Sequence, residues 1–261
     1  MNKTQASPTK EDRHFVTALA RGLDVLACFR PGDKALGNQE IAQRCHLPKS
    51  TVSRLTYTLT KLGYLHYIAS QGQYRLGSAT LALGSAMIAR LDVRQLARPL
   101  MQELADFSKG MVSLGMRDRL SMIYIENCRS QNALTLSLDV GSRIPLATTA
   151  MGRALLASLP VMEREAVLME IRTTQEEQWP DMEAGIQRSL QEVREFGCCS
   201  SFGDWQTDVN AIAIGFSPGA GQAPVAINCG GPAFLLSKEF LLHEVRPKLL
   251  QLVRDLQGNL L

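Results

Sequence analysis

The feature that most constrains this chain is the stretch from Gln39 to Leu65, QEIAQRCHLPKSTVSRLTYTLTKLGYL, which reads as two short helices across a tight turn followed by the first strand of a hairpin. Pro48 suits the first position of the second helix, because its missing N–H would have had no partner inside the helix. Gly63 ends that helix after Lys61 or Leu62. At about 100° per residue, Val52, Leu55, Leu59 and Leu62 share one face, and Ser50, Ser53, Arg54, Tyr57 and Lys61 cluster on the other. Small hydroxyls let a backbone approach closely, a guanidinium can grip guanine or a phosphate, and the helix carries no acidic residue. A plainly solvated face would more often carry Glu/Lys pairs, so Lys49, Ser50, Thr51, Ser53, Arg54, Tyr57 and Lys61 are candidate DNA contacts.

After Gly63, the runs Tyr64 to Ile68 and Gln73 to Leu76 are joined by Ala69-Ser-Gln-Gly72, a hairpin signal that would form a wing. Gln71, Gln73 and Arg75 either lie along phosphates or belong to a hairpin that only covers the helical core. Upstream, Val16, Leu19, Leu23 and Leu26 have helical spacing and give the module a first helix, broken at Pro31-Gly-Asp33. Residues 1–12 are polar, with no apolar run of the signal-peptide kind, and read as a flexible tail.

The net charge of +3 conceals an asymmetry. Residues 1–90 hold 12 Lys+Arg against 5 Asp+Glu, whereas 91–261 hold 16 against 20. A basic head on an acidic body suits a DNA-binding domain joined to a domain with a different partner. The six cysteines show no CxxC pair and no disulfide spacing, which points to a reducing compartment. Cys198 and Cys199 cannot both point into one core from a strand, and buried small hydrophobes are the better reading than a reactive pair. No apolar stretch approaches a membrane span, so a soluble cytoplasmic protein is expected.

The stretch from Leu76 to Leu91 is rich in small residues and apolar around most of its circumference, as suits a connecting helix that packs on its symmetry mate or is buried within one subunit. Asp92 and Gln95 form a capping-box pattern opening a helix through Leu96, Leu100, Leu104 and Phe107. Strand-like runs follow at Met111 to Met116, Ser121 to Asn127 and Ala133 to Leu138. Helices are expected over Ala150 to Leu159, Arg164 to Ile171 and Met182 to Phe196, strands over Val209 to Phe216 and Ala223 to Cys229, and a last helix from Lys238 to about Leu256 with Ser237 as its N-cap. Strands beside strands with grouped helices argue for an α+β domain around an antiparallel sheet. There is no GxSxG elbow, no P-loop and no GxGxxG; Gly219-Ala-Gly221 lacks the third glycine, and His243 lies inside the terminal helix. No catalytic residue, metal site or cofactor is expected, and the large domain looks built to bind.

Several segments carry a resemblance to a known family. They are Ala18 to Leu26, Glu40-Ile-Ala42 with Leu47 to Arg54 and Leu62-Gly-Tyr64, Tyr74 to Gly77, Gly141 to Ala157, and Gly230-Gly-Pro232. In this order they resemble the IclR-type bacterial transcriptional regulators from about Phe15 to Leu256. The resemblance implies a winged helix-turn-helix (residues 13–76), a linker or dimerisation helix (77–91) and a GAF-like effector domain (92–261). It also implies a double-stranded DNA operator of palindromic form, a small-molecule effector, and a homodimer or dimer of dimers.

Physical reading and resemblance meet at the effector pocket. The start of the helix at Thr149, Ala150, Met151 and Gly152 offers N–H groups and a dipole that attract a carboxylate. In the family the facing strands typically supply a Cys and two Ser, and the alignment places Ala211, Asn228 and Gly230 there. This chain departs from the pattern in a way that leaves room for a bulkier organic acid, possibly aromatic, and removes anchors for a two-carbon one. The alternatives are a metabolite-binding protein or enzyme with an incidental winged helix, and a protein-interaction adaptor.

Overall fold

The structure is a computed structural model that describes residues 15–30, 32–89, 91–130, 138–219 and 221–260. It divides between Arg90 and Leu91 into two compact units.

The first unit contains α1 (Thr17–Ala27), β1 (Leu36–Gly37), α2 (Asn38–Cys45), α3 (Lys49–Lys61), β2 (Leu65–Ile68), β3 (Gln73–Leu76) and α4 (Ser78–Ile88). Its core is Val25, Leu36, Ile41, Ala42, Val52 and Leu65, with Leu55 and Leu59 packed against it. The turn between α2 and α3 forms because His46 takes a left-handed conformation at φ 53. Pro48 is the cap of α3 and not its first residue. Its fixed φ suits either position, which is why sequence alone placed it one residue late. The expected apolar face of α3 needs one correction: Leu62 is 61% exposed, and the inward position between Val52 and Leu59 is Thr56, whose hydroxyl donates to the Val52 carbonyl at 2.9 Å. Because that bond satisfies the hydroxyl within the helix, a polar residue sits in the core at little cost.

The wing hairpin pairs Leu65 with Leu76 and Ile68 with Gln73, turning through Gly72 at φ 64. Strand β1, too short to show a period, completes the sheet in the order β1-β3-β2. In α1 the fully buried residue is Val25, whereas Val16, Leu19 and Leu23 are more than half exposed. Leu26 packs against the core beside Val25, whereas the other three positions of the expected stripe face away from it. Helix α4 likewise has no buried residue.

The second unit contains α5 (Asp92–Ser108), β4 (Met111–Asp118), β5 (Ser121–Arg129), β6 (Arg143–Pro145), α6 (Ala150–Ser158), α7 (Val161–Thr174), α8 (Trp179–Phe196), β7 (Cys199–Phe202), β8 (Val209–Phe216) and β9 (Val225–Pro232). The last helix runs as α9 (Lys238–Phe240), a π segment (Leu241–Val245) and α10 (Arg246–Leu260). Ser237 caps it by accepting from the Phe240 N–H at 3.2 Å. Asp92 is not a cap: Leu91 holds that place and no side chain bonds there. The buried stripe of α5 is Val93, Ala97, Met101, Leu104 and Ala105, rotated from the expected Leu96, Leu100, Leu104 and Phe107. Leu96 and Phe107 stay 38% and 41% exposed, so the larger apolar residues here misled the reading of the helix face. The expected strand at Ala133 to Leu138 falls almost wholly outside the described residues.

The six strands form one antiparallel sheet in the order β6-β5-β4-β9-β8-β7. Helices α5 and α10 pack on one face over Val112, Leu114, Ile212 and Ile227; α6, α7 and α8 pack on the other over Met111, Tyr124, Ala211 and Ala226. With both faces covered, β4, β8 and β9 are buried almost continuously, as two-sided burial requires. Cys198 and Cys199 illustrate the alternation, since the first belongs to one core and the second to the other. Both thiols are pushed up by burial, Cys198 to about 12. Glu126, 2% exposed, ties β5 to α5: Arg98 Nη1 donates at 2.6 Å and the Asn127 N–H at 2.9 Å. Arg94 Nε stands 2.9 Å from the second oxygen but is aligned on the Ile125 carbonyl.

Candidate nucleic-acid interface and effector pocket

The outward face of α3 presents Lys49, Ser50, Ser53, Arg54, Tyr57 and Lys61 to solvent, with Thr51 half-buried beside them. These side chains are not equally available. Ser53 accepts from Asn38 Nδ2 at 2.7 Å and donates to the Lys49 carbonyl at 3.0 Å, so its hydroxyl braces α2 against α3. Lys49 Nζ reaches Gln39 Oε1 at 3.2 Å. Lys61 Nζ lies 5.5 Å from the centre of the Tyr57 ring, a cation–π pair on the rim. Arg54 has no side-chain partner among the described residues and projects from the middle of the helix. On the wing, Arg75 is exposed opposite His66, while Tyr67 and Tyr74 pack at 5.0 Å on the same hairpin. An acid-free helix that projects one uncommitted guanidinium between hydroxyls is suited to bonding base edges in a major groove.

In the second unit, the register Ala211↔Gly230 and Ala213↔Asn228 sets Ala211, Asn228 and Gly230 side by side on the face covered by α6, α7 and α8. The start of α6 brings Thr149 and Ala150 against them, closing a cavity of about 20 Å³. Of the expected effector residues, these five come together. Met151 and Gly152 do not line it: the Met151 sulfur fills the space beside Gly115, and Gly152 lies flat against the Leu146 backbone. The Gly152 N–H is not free either, because the Thr149 hydroxyl accepts it at 3.1 Å. The N–H groups of Ala150 and Met151 have no acceptor among the described residues, so the anion-attracting end of α6 reduces to these two.

Seven further residues line it that the sequence did not single out: Met111, Ile144, Val209, Gly231 and three that bring a polar or aromatic group. Tyr124 comes from β5, Ser201 from β7, and Trp205 from the loop that joins β7 to β8. Burial pushes the Tyr124 hydroxyl up to about 12, with Ser113 and Asn228 hydrogen bonding opposing the rise, so it remains a protonated donor. Ser201 Oγ donates to the Thr148 carbonyl at 3.0 Å. Asn228 is 6% exposed and its Oδ1 is buried with no partner among the described residues, a costly arrangement unless something else supplies a donor. The Trp205 loop is anchored by its neighbour: Asp204 is paired with Arg153, itself 3% exposed, and with Arg188 at 3.1 Å. Arg153 also donates to the Ala147 carbonyl at 2.8 Å, which fixes its place under the start of α6. Among the described residues, no ionisable side chain other than Tyr124 lines the cavity.

A larger groove of about 480 Å³ runs along the outer edge of β7, and several of its charged side chains already have partners. Glu192 accepts from the Ser200 N–H at 2.7 Å, Arg246 stacks over Phe196 at 4.9 Å, and Lys238 lies over Phe202 at 5.5 Å. The cavity at the start of α6, with its unmatched polar atom, is the better small-molecule site. Among the described residues, no group of three His, Cys, Asp or Glu side chains could hold a metal ion, and no helix is long and apolar enough to cross a membrane.

Comparison with known proteins accounts for both units. The IclR helix-turn-helix domain matches residues 18–69, and the bacterial transcriptional regulator IclR C-terminal region matches residues 85–257. The chain is 36% identical over 248 residues to the HTH-type transcriptional regulator TsaQ1/TsaQ2 of Comamonas testosteroni, covering 94% of this chain and 89% of that protein. It is similar to the crystal structure of an IclR family transcriptional regulator from Brucella abortus, with 44% identity, a TM-score of 0.86, and coverage of 98% and 96% of the two chains. It shares the fold of an IclR homolog from Microbacterium hydrocarbonoxydans complexed with 4-hydroxybenzoate, at 24% identity and a TM-score of 0.70, over 93% and 97% of the chains. The chain belongs to the IclR family of bacterial transcriptional regulators, and is a DNA-binding regulator, not an enzyme.

Proposed function

We propose that this protein reads a palindromic operator in the cytoplasm as a dimer or dimer of dimers, and that a small organic acid with an aromatic body controls it from the second unit. The observation that carries the DNA reading is Arg54, unpaired at the centre of an acid-free helix face. In this reading Lys49, Ser50, Thr51, Tyr57 and Lys61 surround it, Ser53 sets the α2–α3 angle, and Arg75 on the wing follows the backbone. The tail is 1–12, the winged helix 13–76, the linker helix 77–91 and the effector domain 92–261. Leu81, Leu83 and Met87 of α4, exposed at 71%, 60% and 44%, are the surface through which two copies pair. Selection of genomic fragments with purified protein should enrich one inverted repeat, and Arg54→Ala should weaken binding to it by about 1 to 3 kcal/mol. Unchanged specific binding by that variant would refute the assignment.

The effector reading rests on Asn228 Oδ1. A ligand that brings a hydroxyl or N–H donor satisfies it, its ring lies against Ala211, Gly230 and Trp205, and its carboxylate meets the Ala150 and Met151 N–H groups at the start of α6. That a regulator of this fold was crystallised with 4-hydroxybenzoate, which has an acid at one end and a hydroxyl at the other, agrees with this arrangement. Aromatic and aliphatic carboxylates should be compared by thermal shift, and the best repeated with Ala211→Leu and Asn228→Leu. Stabilisation by short aliphatic acids alone would reject the aromatic body, and a hit that binds both variants unchanged would reject the site.

A further inference from the structure

The ends of α1 and α2 bring two thiols together in the first unit. Cys28 Sγ donates to the Val25 carbonyl at 3.1 Å, and Cys45 Sγ donates to the Asp24 carbonyl at 3.6 Å. The same Asp24 oxygen accepts the Cys28 N–H at 3.0 Å, so the Cys45 sulfur lies over the Cys28 backbone. Each thiol thus donates to a carbonyl of the last turn of α1, and each is among the groups that shift the other's titration. Both are half-buried, unlike the other four cysteines, which are buried. Both line an open cleft of about 330 Å³ together with Asp24, Ala27, Arg30 and Arg44. A small oxidant can therefore reach this pair.

We infer that Cys28 and Cys45 are an oxidisable dithiol, at which a hydroperoxide joins the end of α1 to the end of α2 just before the recognition helix. The chemistry runs in two displacements. The Cys45 thiol gives up its proton and the thiolate attacks hydrogen peroxide; the O–O bond breaks, one oxygen stays on sulfur as a sulfenic acid, and the departing hydroxide takes up that proton as one water. The Cys28 sulfur then attacks the Cys45 sulfur; the S–O bond breaks and the departing hydroxide takes the Cys28 proton as a second water. Two thiols have lost two protons and two electrons to the peroxide, leaving one S–S bond. The roles follow from the surroundings. Cys28 and the Arg44 charge both favour the Cys45 thiolate. Cys28 is held protonated, pushed up to about 12 chiefly by burial and by Cys45, with Asp33 adding to the rise and Arg44 opposing it. Burial and Asp24 raise Cys45 as well, so few molecules are thiolate at neutral pH and the site answers strong oxidant slowly.

The link has a structural consequence. Bonded sulfurs lie about 2.05 Å apart, closer than any non-bonded contact, so closure draws the last residue of α2 toward α1. The next residue is His46, whose left-handed turn sets the direction of α3. Oxidation therefore changes the angle at which the recognition helix is held.

The full chain should be reduced, treated with hydrogen peroxide, alkylated, and mapped by mass spectrometry without reduction. A peptide joining Cys28 to Cys45 is expected, and it should vanish in Cys28→Ser and Cys45→Ser. Oxidised protein should bind its selected DNA fragment about fivefold more weakly or worse, the lower end of ordinary couplings, and recover with dithiothreitol. Cys45→Ser should bind that DNA as reduced wild type does, before and after peroxide; Cys45→Ala serves if the serine variant does not fold. Cys45 oxidised without joining Cys28, or joined to a second chain, overturns the site. An intramolecular link that leaves DNA affinity unchanged overturns its coupling to α3. The peptide map needs no operator, so failure of the dithiol and failure of the DNA reading are told apart.

Discussion

Replacing Gly152 by alanine tests the turn on which the effector pocket is built. Gly152 is the third residue of α6, and an added Cβ would lie 2.6 Å from both the carbonyl carbon and the Cα of Leu146. Those atoms belong to the backbone of a fully buried residue, so no side-chain rotation relieves the overlap. Overpacking a core costs about 1 to 3 kcal/mol, and a backbone neighbour puts this site at about 3. Alanine recovers about 1 kcal/mol of helix propensity, leaving a net loss of about 2. For a unit of this size each kcal/mol lowers the midpoint by about 2 to 4 °C, so scanning calorimetry should show the transition of the second unit fall by about 4 to 8 °C. The first unit's transition is the internal control. An unchanged or higher midpoint would mean that the Leu146 turn yields freely, and the packing argument would fail. The same overlap makes substitution of Gly152 a poor probe of ligand binding, because loss of binding would follow from loss of the turn.

Asp33 is held below the usual carboxylate range, first by its hydrogen bond from Arg44 (2.5 Å) and then by the Arg30 N–H. Its folded value is depressed, so its contribution is present above the ordinary carboxylate value of about 3.9 and is lost as pH falls through the folded value. Asp33→Asn should flatten the acid limb of the first unit's stability below about pH 4, measured by denaturant unfolding across pH. Leu83→Asp with Met87→Asp should give monomers in sedimentation, with operator binding weakened as two half-sites lose their linkage; an intact dimer would remove α4 from the interface. Asp204→Ala leaves the buried Arg153 guanidinium with the Ala147 carbonyl but no ion pair. Discounted for the partial exposure of Asp204, the loss should be about 2 kcal/mol, with Trp emission shifted to the red as the Trp205 loop loosens. Unchanged emission would show that other contacts hold the loop.

What the sequence made legible was local. The helix-turn-helix announced itself through Val52, Leu55 and Leu59, a proline at the start of α3 and a glycine after its end, all within one short window. The long strands β4, β8 and β9 showed as apolar runs. Strands β1, β6 and β7, of two to four residues, were missed because no period can be read in so few positions. Asp92 failed as a cap because the pattern of a capping box occurs without its geometry. The pocket was half legible: Thr149, Ala150, Ala211, Asn228 and Gly230 could be aligned, whereas Tyr124, Ser201 and Trp205 arrive through strand register and a distant ion pair that no nearby residue signals. The thiol pair of Cys28 and Cys45, 17 positions apart in the chain, likewise appears only once α1 and α2 are packed.

The small volume of this cavity sets a rule for kinetics. Space of about 20 Å³ admits roughly one water molecule, far below the 300 to 1,000 Å³ of sites that enclose drug-sized ligands. A ligand of that kind enters only conformations in which the lining residues have moved apart. Its observed association rate should then level off with concentration at the rate of opening. Its apparent affinity is its intrinsic affinity scaled by the open fraction, so a pocket open about one time in a hundred binds about a hundredfold more weakly than its contacts alone would allow.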